Sequence, residues 1–183
     1  LLANNGANHT IVPGIMLGAS IDAEADGQPN ATATGDDTDG NDDEDGVVFT
    51  SQLVPGQLAT VDVTASVAGF LDAWVDFWAN DNWSDTPDQI FTSVALVPGL
   101  NSLSFPVPAS AKGNIDTFAR FRFSTAGGLP YDGPASDGEV EDYKVHIEHK
   151  VKWSQPPVVI DPGDPPTFLG WDEISWYDGP QIA

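Results

Sequence analysis

The chain has 183 residues, 28 of them acidic and 6 basic, for a formal net charge of -22. That length suits one domain with a real core plus appendages, and the polarity excludes nucleic acid and anionic membranes, whose phosphates need Lys and Arg. There is no Cys, which excludes a disulfide framework, a thiolate nucleophile and a Cys-ligated zinc site.

In chain order, residues 1–21 form a neutral N-terminal arm, broken by Gly and Pro, with a short strand expected at 15–19. No apolar run approaches the ~20 residues that span a bilayer, so membrane insertion is not expected. A start at Leu1 rather than Met leads us to expect that a signal or pro-segment has been removed. Residues 22–46 then carry Asp22, Glu24, Asp26, Asp36, Asp37, Asp39, Asp42, Asp43, Glu44 and Asp45, while residues 1–111 contain no Lys or Arg at all. Carboxylates this dense repel one another unless they stay solvated or share cations.

From Val47 onward the pattern becomes strand and turn. Strands are expected at 47–53, 60–67, 70–78, 89–96, 100–107, 117–124 and 143–147, each read from alternation or β-rich composition. Two copies of Leu-Val-Pro-Gly, at 53–56 and 96–99, place Pro and Gly where a type II turn wants them. Trp74, Asp72, Asp76 and Trp78 are read onto the face opposite Leu71, Ala73, Val75 and Phe77. No stretch shows capped helical periodicity. The expected fold is therefore all-β: an antiparallel, jelly-roll-like β-sandwich with a long acidic loop and extended terminal arms. Residues 22–150 make up loop and sandwich. Residues 151–183 form a tail whose prolines at 156, 157, 162, 165 and 166 precede the aromatic run FLGWDEISWY.

The acidic loop contains Asn41-x-Asp43-x-Asp45-Gly46, the first half of an EF-hand loop. Gln52 stands where the closing Glu belongs, so an EF-hand is excluded. A calcium site fed from separate loops stays open, with Asp22, Glu24, Asp36, Asp37, Asp43 and Asp45 as oxygen donors and Glu139, Glu141 and Asp142 completing it. The bland alternative is a solvated acidic loop. Residues 76–88 offer a second candidate built from Asp76, Asn80, Asn82 and Asp85, or else a plain polar hairpin. Glu139, Glu141 and Asp142 have a further option, ion pairing with Arg120 and Arg122 on a neighbouring strand.

Taken in order, Asp22-x-Glu24, Gly35-Asp36-Asp37, Asp43-Glu44-Asp45-Gly46, Trp74-Val75-Asp76-Phe77, Ala119-Arg120-Phe121-Arg122-Phe123 and Gly138-Glu139-Val140-Glu141-Asp142-Tyr143 resemble the GEVED domain. The resemblance spans residues 17–147. It implies a β-sandwich with metal-binding loops, one module among several in secreted or cell-surface bacterial proteins, and no attached catalysis. The family tends to carry Asp-x-Asn-x-Asp-Gly at residues 76–81. Here Trp78, Asn80 and Asp81 depart from that pattern, and Trp78 has no side-chain oxygen to offer.

Enzyme signatures are missing: neither G-x-S-x-G nor H-E-x-x-H occurs, and His146 and His149 fall on opposite faces of a strand. The expected function is a non-enzymatic, extracellular calcium-binding structural module, a subunit of a cell-surface or fibrous assembly joined to other copies or neighbouring domains through its arms. The alternatives are a calcium-dependent carbohydrate-binding or adhesion module, with polysaccharide held on Trp74, Trp78 and Trp83, which otherwise read as ordinary packing and interface residues, and a passive spacer of a larger surface protein. Sequons mark Asn8, Asn30 and Asn82 as glycosylation positions, though a chain rich in Asn, Ser and Thr meets that pattern by chance.

Overall fold

A computed structural model describes residues 2–21, 30, 32–33 and 44–149. After a short 3₁₀ turn at Leu2–Asn4, the strands are β1 Asn8–His9, β2 Val47–Phe49, β3 Leu58–Ala65, β4 Gly69–Val75, β5 Gln89–Leu96, β6 Gly99–Pro106, β7 Ile115–Ser124, β8 Pro134–Ala135 and β9 Glu139–Ile147. They form a three-stranded antiparallel sheet in the order β2-β3-β6, a four-stranded antiparallel sheet in the order β5-β4-β7-β9, and a small parallel pair, β1-β8. The expected all-β sandwich is what the chain folds into.

The alternation read from sequence fills the space between the sheets. Val61, Val63 and Ala65 of β3 and Phe105 of β6 meet Leu71, Ala73 and Val75 of β4 and Phe121 and Phe123 of β7, all essentially excluded from water. Aromatic edges lock one sheet to the other: Phe49 lies 5.9 Å from Phe121 and Phe91 lies 5.7 Å from Phe105, both T-shaped. The fully buried rings among them, Phe121 and Phe105, each contribute roughly 1.5–3 kcal/mol of transfer free energy. The first Leu-Val-Pro-Gly closes as expected, with Gly56 at φ 85° and the Gln57 N–H on the Val54 carbonyl at 3.0 Å. In the second, Gly99 has φ 93° and the Asn101 amide spans the turn, accepting from Val97 N–H and donating to the Val97 and Gly99 carbonyls.

Two expectations need adjustment. The segment at 15–19 makes only a single antiparallel bridge, Leu17 to Ala65, although Leu17 is fully buried. The face of β4 opposite the apolar one, which the carbohydrate-binding alternative needs open, is covered: Asp72, Trp74 and Asp76 are only 1%, 3% and 3% exposed. Residues that follow β7 fold back over it. Leu129 N–H bonds Asp72 Oδ2 at 3.0 Å, and the Tyr131 ring stands edge-on to Trp74 at 6.4 Å. Alternation along one strand shows which side chains are opposed. It is silent about a third layer brought in from more than fifty residues away.

Candidate functional site

The segments on either side of the acidic stretch, around Leu17 and Gly46, lie along one edge of β3. Gly18 N–H donates to the Thr64 carbonyl, Ser66 N–H to the Met16 carbonyl, and Thr64 N–H to the Gly46 carbonyl, at 2.9, 3.0 and 2.9 Å. Two glutamates of β9 complete this neck. Glu139 Oε2 accepts Leu17 N–H at 2.7 Å and Glu141 Oε1 accepts Gly46 N–H at 3.0 Å. Glu141 Oε2 also takes the Tyr143 hydroxyl at 2.9 Å, and that hydroxyl oxygen accepts Val47 N–H at 3.0 Å. The β7–β9 register explains why these acids turn inward. Glu139 pairs with Phe123 and Glu141 with Phe121, so both share the core face and are 3% and 1% exposed.

Carboxylate charge accumulates at the neck. Asp45 accepts Ala19 N–H at 2.9 Å and the Ser20 hydroxyl at 3.3 Å. The Tyr143 phenol is pushed well above its ordinary range, first by burial and then by the charge of Glu141, with Glu44 adding to it. Of the acids expected to form the site, Asp22, Glu24, Asp36, Asp37 and Asp43 lie outside the described residues. Asp142 faces the other way and is held by Arg120, with Nε to Oδ1 at 2.7 Å and Nη2 to Oδ2 at 2.5 Å. Of this motif, Asp142 pairs with arginine as one expectation had it, and Glu139 and Glu141 accept backbone N–H groups at the neck instead of pairing with Arg120 or Arg122.

The loop between β4 and β5 is wrapped around Asp76. Its Oδ1 accepts Trp78 and Asn80 N–H groups at 3.2 Å each, and its Oδ2 accepts those of Asn80 and Asp81 at 3.0 and 2.9 Å. Asn80 Nδ2 donates to Asp85 Oδ2 at 2.8 Å, so Asp76, Asn80 and Asp85 do belong to one loop. Sequence reasoning passed over Asp88, which is fully buried immediately before β5. Its Oδ1 accepts Phe77 N–H at 3.2 Å, whereas its Oδ2 is buried without a hydrogen-bond partner. Burial, followed by the charges of Asp76 and Asp85, raises the Asp88 carboxyl to about 6. Nothing in the local pattern singles Asp88 out. Its environment comes from the loop folding back on Phe77.

The tryptophans do not share an open face. Trp74 is buried, Trp78 packs half-buried against the core, and Trp83 lies under the Arg120 guanidinium at 5.3 Å. Arg122 is fully buried beside them and engages all of its N–H groups. It donates to the carbonyls of Pro130, Asp132, Asn8 and Gly133 and to Nε2 of His9. At the sequons, Asn8 Nδ2 donates to the Gly6 carbonyl, while the Asn30 and Asn82 side-chain oxygens accept from Thr32 and Ser84.

The donors at the neck and in the loop are carboxylate, amide and carbonyl oxygens, the set that hard cations such as Ca²⁺ take. Among the described residues, no group of three or more His, Asp or Glu side chains already stands together to hold an ion. No described helix is long and apolar enough to cross a membrane.

The family model of the GEVED domain matches residues 70–146, from the second residue of β4 to the penultimate residue of β9. No curated protein and no solved structure matches the chain. The match covers the four-stranded sheet, β6 and the Gly138–Tyr143 motif itself, and across residues 70–146 the chain is similar to the GEVED domain.

Proposed function

We propose that the chain is a non-enzymatic, extracellular calcium-binding structural module, a subunit of a cell-surface or fibrous assembly joined through its terminal arms. The observation that carries the calcium reading is the neck. Two buried glutamates of β9 hold the main chain at Leu17 and at Gly46, on either side of the acidic stretch. Carboxylates at Glu44, Asp45, Glu139 and Glu141 therefore stand where the loop begins and ends. A divalent cation there would relieve their repulsion, with Asp22, Glu24, Asp36, Asp37 or Asp43 supplying further oxygens. The ion's task is to tie loop to sandwich and stiffen the module.

Thermal melting in calcium and in chelator tests this. An ion at a hundredfold excess over its Kd stabilises the native state by ~2.7 kcal/mol, which for a chain of this size raises Tm by roughly 5–10 °C. Glu141→Gln should shrink that shift. Identical melting with and without calcium sinks the proposal, and a shift that survives Glu141→Gln intact removes the neck as its source.

The assembly reading draws on the three-stranded sheet. There, among the described residues, β6 pairs with β3 alone, and Val97, Leu100, Leu58 and Val48 are exposed apolar side chains around that sheet. An open edge of this kind accepts an added strand. Residues 2–20 are engaged with their own domain through His9, Leu17 and Asn5, so exchange through that arm would have to trade these contacts for equivalent ones. The tail, 151–183, lies outside the described residues and is the simpler joint.

A further inference from the structure

A sandwich of two open sheets has four edge strands, and an edge left bare invites pairing with another chain. Here β9 and β5 bound one sheet and β2 and β6 the other. One side of the sandwich is closed. Glu141 accepts Gly46 N–H, the Tyr143 hydroxyl accepts Val47 N–H, and Glu148 N–H reaches the Leu53 carbonyl, so β9 is tied to β2 and the residues that flank it. On the other side, β5 is broken by register shifts against Leu71, Ala73 and Trp74, where Ser93 sits at φ 45° with its N–H on Asp72 Oδ1 at 2.8 Å. Such a bulge is a common protection of an edge. β6 has none. Its eight residues run in unbroken register with β3, from Gly99 beside Ala65 to Pro106 beside Leu58. Among the described residues, no backbone bond beyond that ladder reaches residues 100–106.

Charge is missing from the same place. Residues 89–111, which hold β5, β6 and their hairpin, contain no Asp, Glu, Lys or Arg, in a chain with 28 acidic and 6 basic residues. Leu100, Ser102, Ser104 and Pro106 are the exposed, outward side chains of β6, and Val48 and Leu58 share that outer face of the sheet. The one charged residue of β2, β3 and β6 is Asp62, and its Oδ1 accepts the Ser102 hydroxyl at 2.6 Å. We infer that β6 is a self-pairing edge: two copies join β6 to β6, antiparallel about a two-fold axis, and their three-stranded sheets become one of six strands. Charge selects the partner. Two molecules of net charge -22 repel across every acidic surface, and a neutral edge lets backbone meet backbone with no carboxylates opposed. The two-fold also suits the sequence of β6, since Leu100 of one strand lies toward the Ser104–Pro106 end of the other. The inference rests on the self-assembly part of the proposed function and adds a joint of different symmetry. Arms link copies into a chain, whereas β6 closes them into pairs. The competing occupant of this edge is the chain's own tail, 151–183, and the experiment separates the two.

The absence of cysteine makes the test clean. Leu100→Cys, Ser102→Cys and Ser104→Cys are introduced singly into the full chain, with Thr92→Cys, exposed on β5, as the control. They are oxidised alone and in pairwise mixtures, in chelator and at high salt, where charge repulsion is screened. The combinations that face each other across the axis should cross-link at least tenfold faster than Thr92→Cys with itself and should agree on one register, because a disulfide forms only between closely opposed positions. Sedimentation of the unsubstituted chain should show a concentration-dependent dimer under the same conditions, which Leu100→Glu with Ser104→Glu weakens at least tenfold. Both positions are exposed, so the substitutions leave the fold intact. Cross-linking on β6 no faster than at Thr92 overturns the assignment and leaves the edge to the tail, and so does a dimer indifferent to the two glutamates. Assembly through the arms is read instead from species larger than the dimer, so the two readings fail separately.

Discussion

His9 shows how a single neutral side chain can hold an arm in place. Its Nδ1 lies 2.7 Å from the Asp137 carbonyl and its Nε2 accepts from Arg122 Nε at 3.1 Å, so the ring serves as donor on one side and acceptor on the other. Burial lowers its pKa from 6.5 to about 4, and the Arg122 charge adds to the effect, against the hydrogen bond and charge of Asp137, which raise it. Above pH 6.5 the ring is neutral whether the chain is folded or not, and it adds no pH dependence. Between 6.5 and about 4 the unfolded chain takes up a proton that the folded chain refuses, so stability falls as pH falls, by about 3 kcal/mol in all. Denaturant titrations across that range should show His9→Gln, which keeps a donor and an acceptor but cannot charge, with a shallower loss than wild type. Equal slopes would mean that the ring titrates freely.

At the scale of elements, the neck is where three segments meet with no room to spare. A Cβ on Gly46 would lie 2.4 Å from Leu17 Cβ, 2.7 Å from Gly18 N and 2.8 Å from Glu141 Oε1. Two of those neighbours belong to the arm bridged to β3 and the third is the glutamate that holds the loop, so none can yield without opening the joint. Gly46→Ala should therefore destabilise the domain by about 2–3 kcal/mol in urea titrations and reduce the calcium-dependent gain in Tm with it. A variant that melts like wild type would show the neck to be looser than its contacts imply. The β7–β9 ladder works on both faces: inward it aims Glu139 and Glu141 at the neck, and outward it sets Arg120 against Asp142.

For the whole molecule, charge and edges decide behaviour in solution. A net charge of -22 keeps copies apart in the absence of divalent ions and salt, so any association through the β6 edge or the tail should strengthen in calcium. Removing residues 151–183 should leave, by light scattering, a folded chain no larger than the β6-paired dimer under conditions where the full chain forms larger species. A truncated chain that still polymerises would move the joint away from the tail, to the N-terminal arm.

Much of the fold was legible because alternation is local. Val61, Val63 and Ala65, or Leu71, Ala73 and Val75, announce a buried face within one strand, and Pro55-Gly56 announces its turn. Site chemistry was legible only as composition. The motif at Gly138–Tyr143 supplied the right acids but not their division of labour, because Glu139 and Glu141 meet partners 122 and 95 residues away. Asp88 looked like one more loop acid until Phe77 and Asp85 were seen to enclose it, and alternation left Trp74 readable either as a stacking surface or as a packing residue until the strand's outer face proved to be roofed.

What the amino-acid order determined by itself is the class of structure and the chemistry at hand: strands by their period of two, turns by Pro and Gly, hard oxygen donors by sheer number, no thiol, and too few cations to neutralise the acids. Only tertiary structure decided which carboxylates are buried, which hold backbone and which lacks a partner. Burial and hydrogen bonding are properties of neighbours, and in an antiparallel sandwich the neighbours that matter are assembled from segments far apart in the chain.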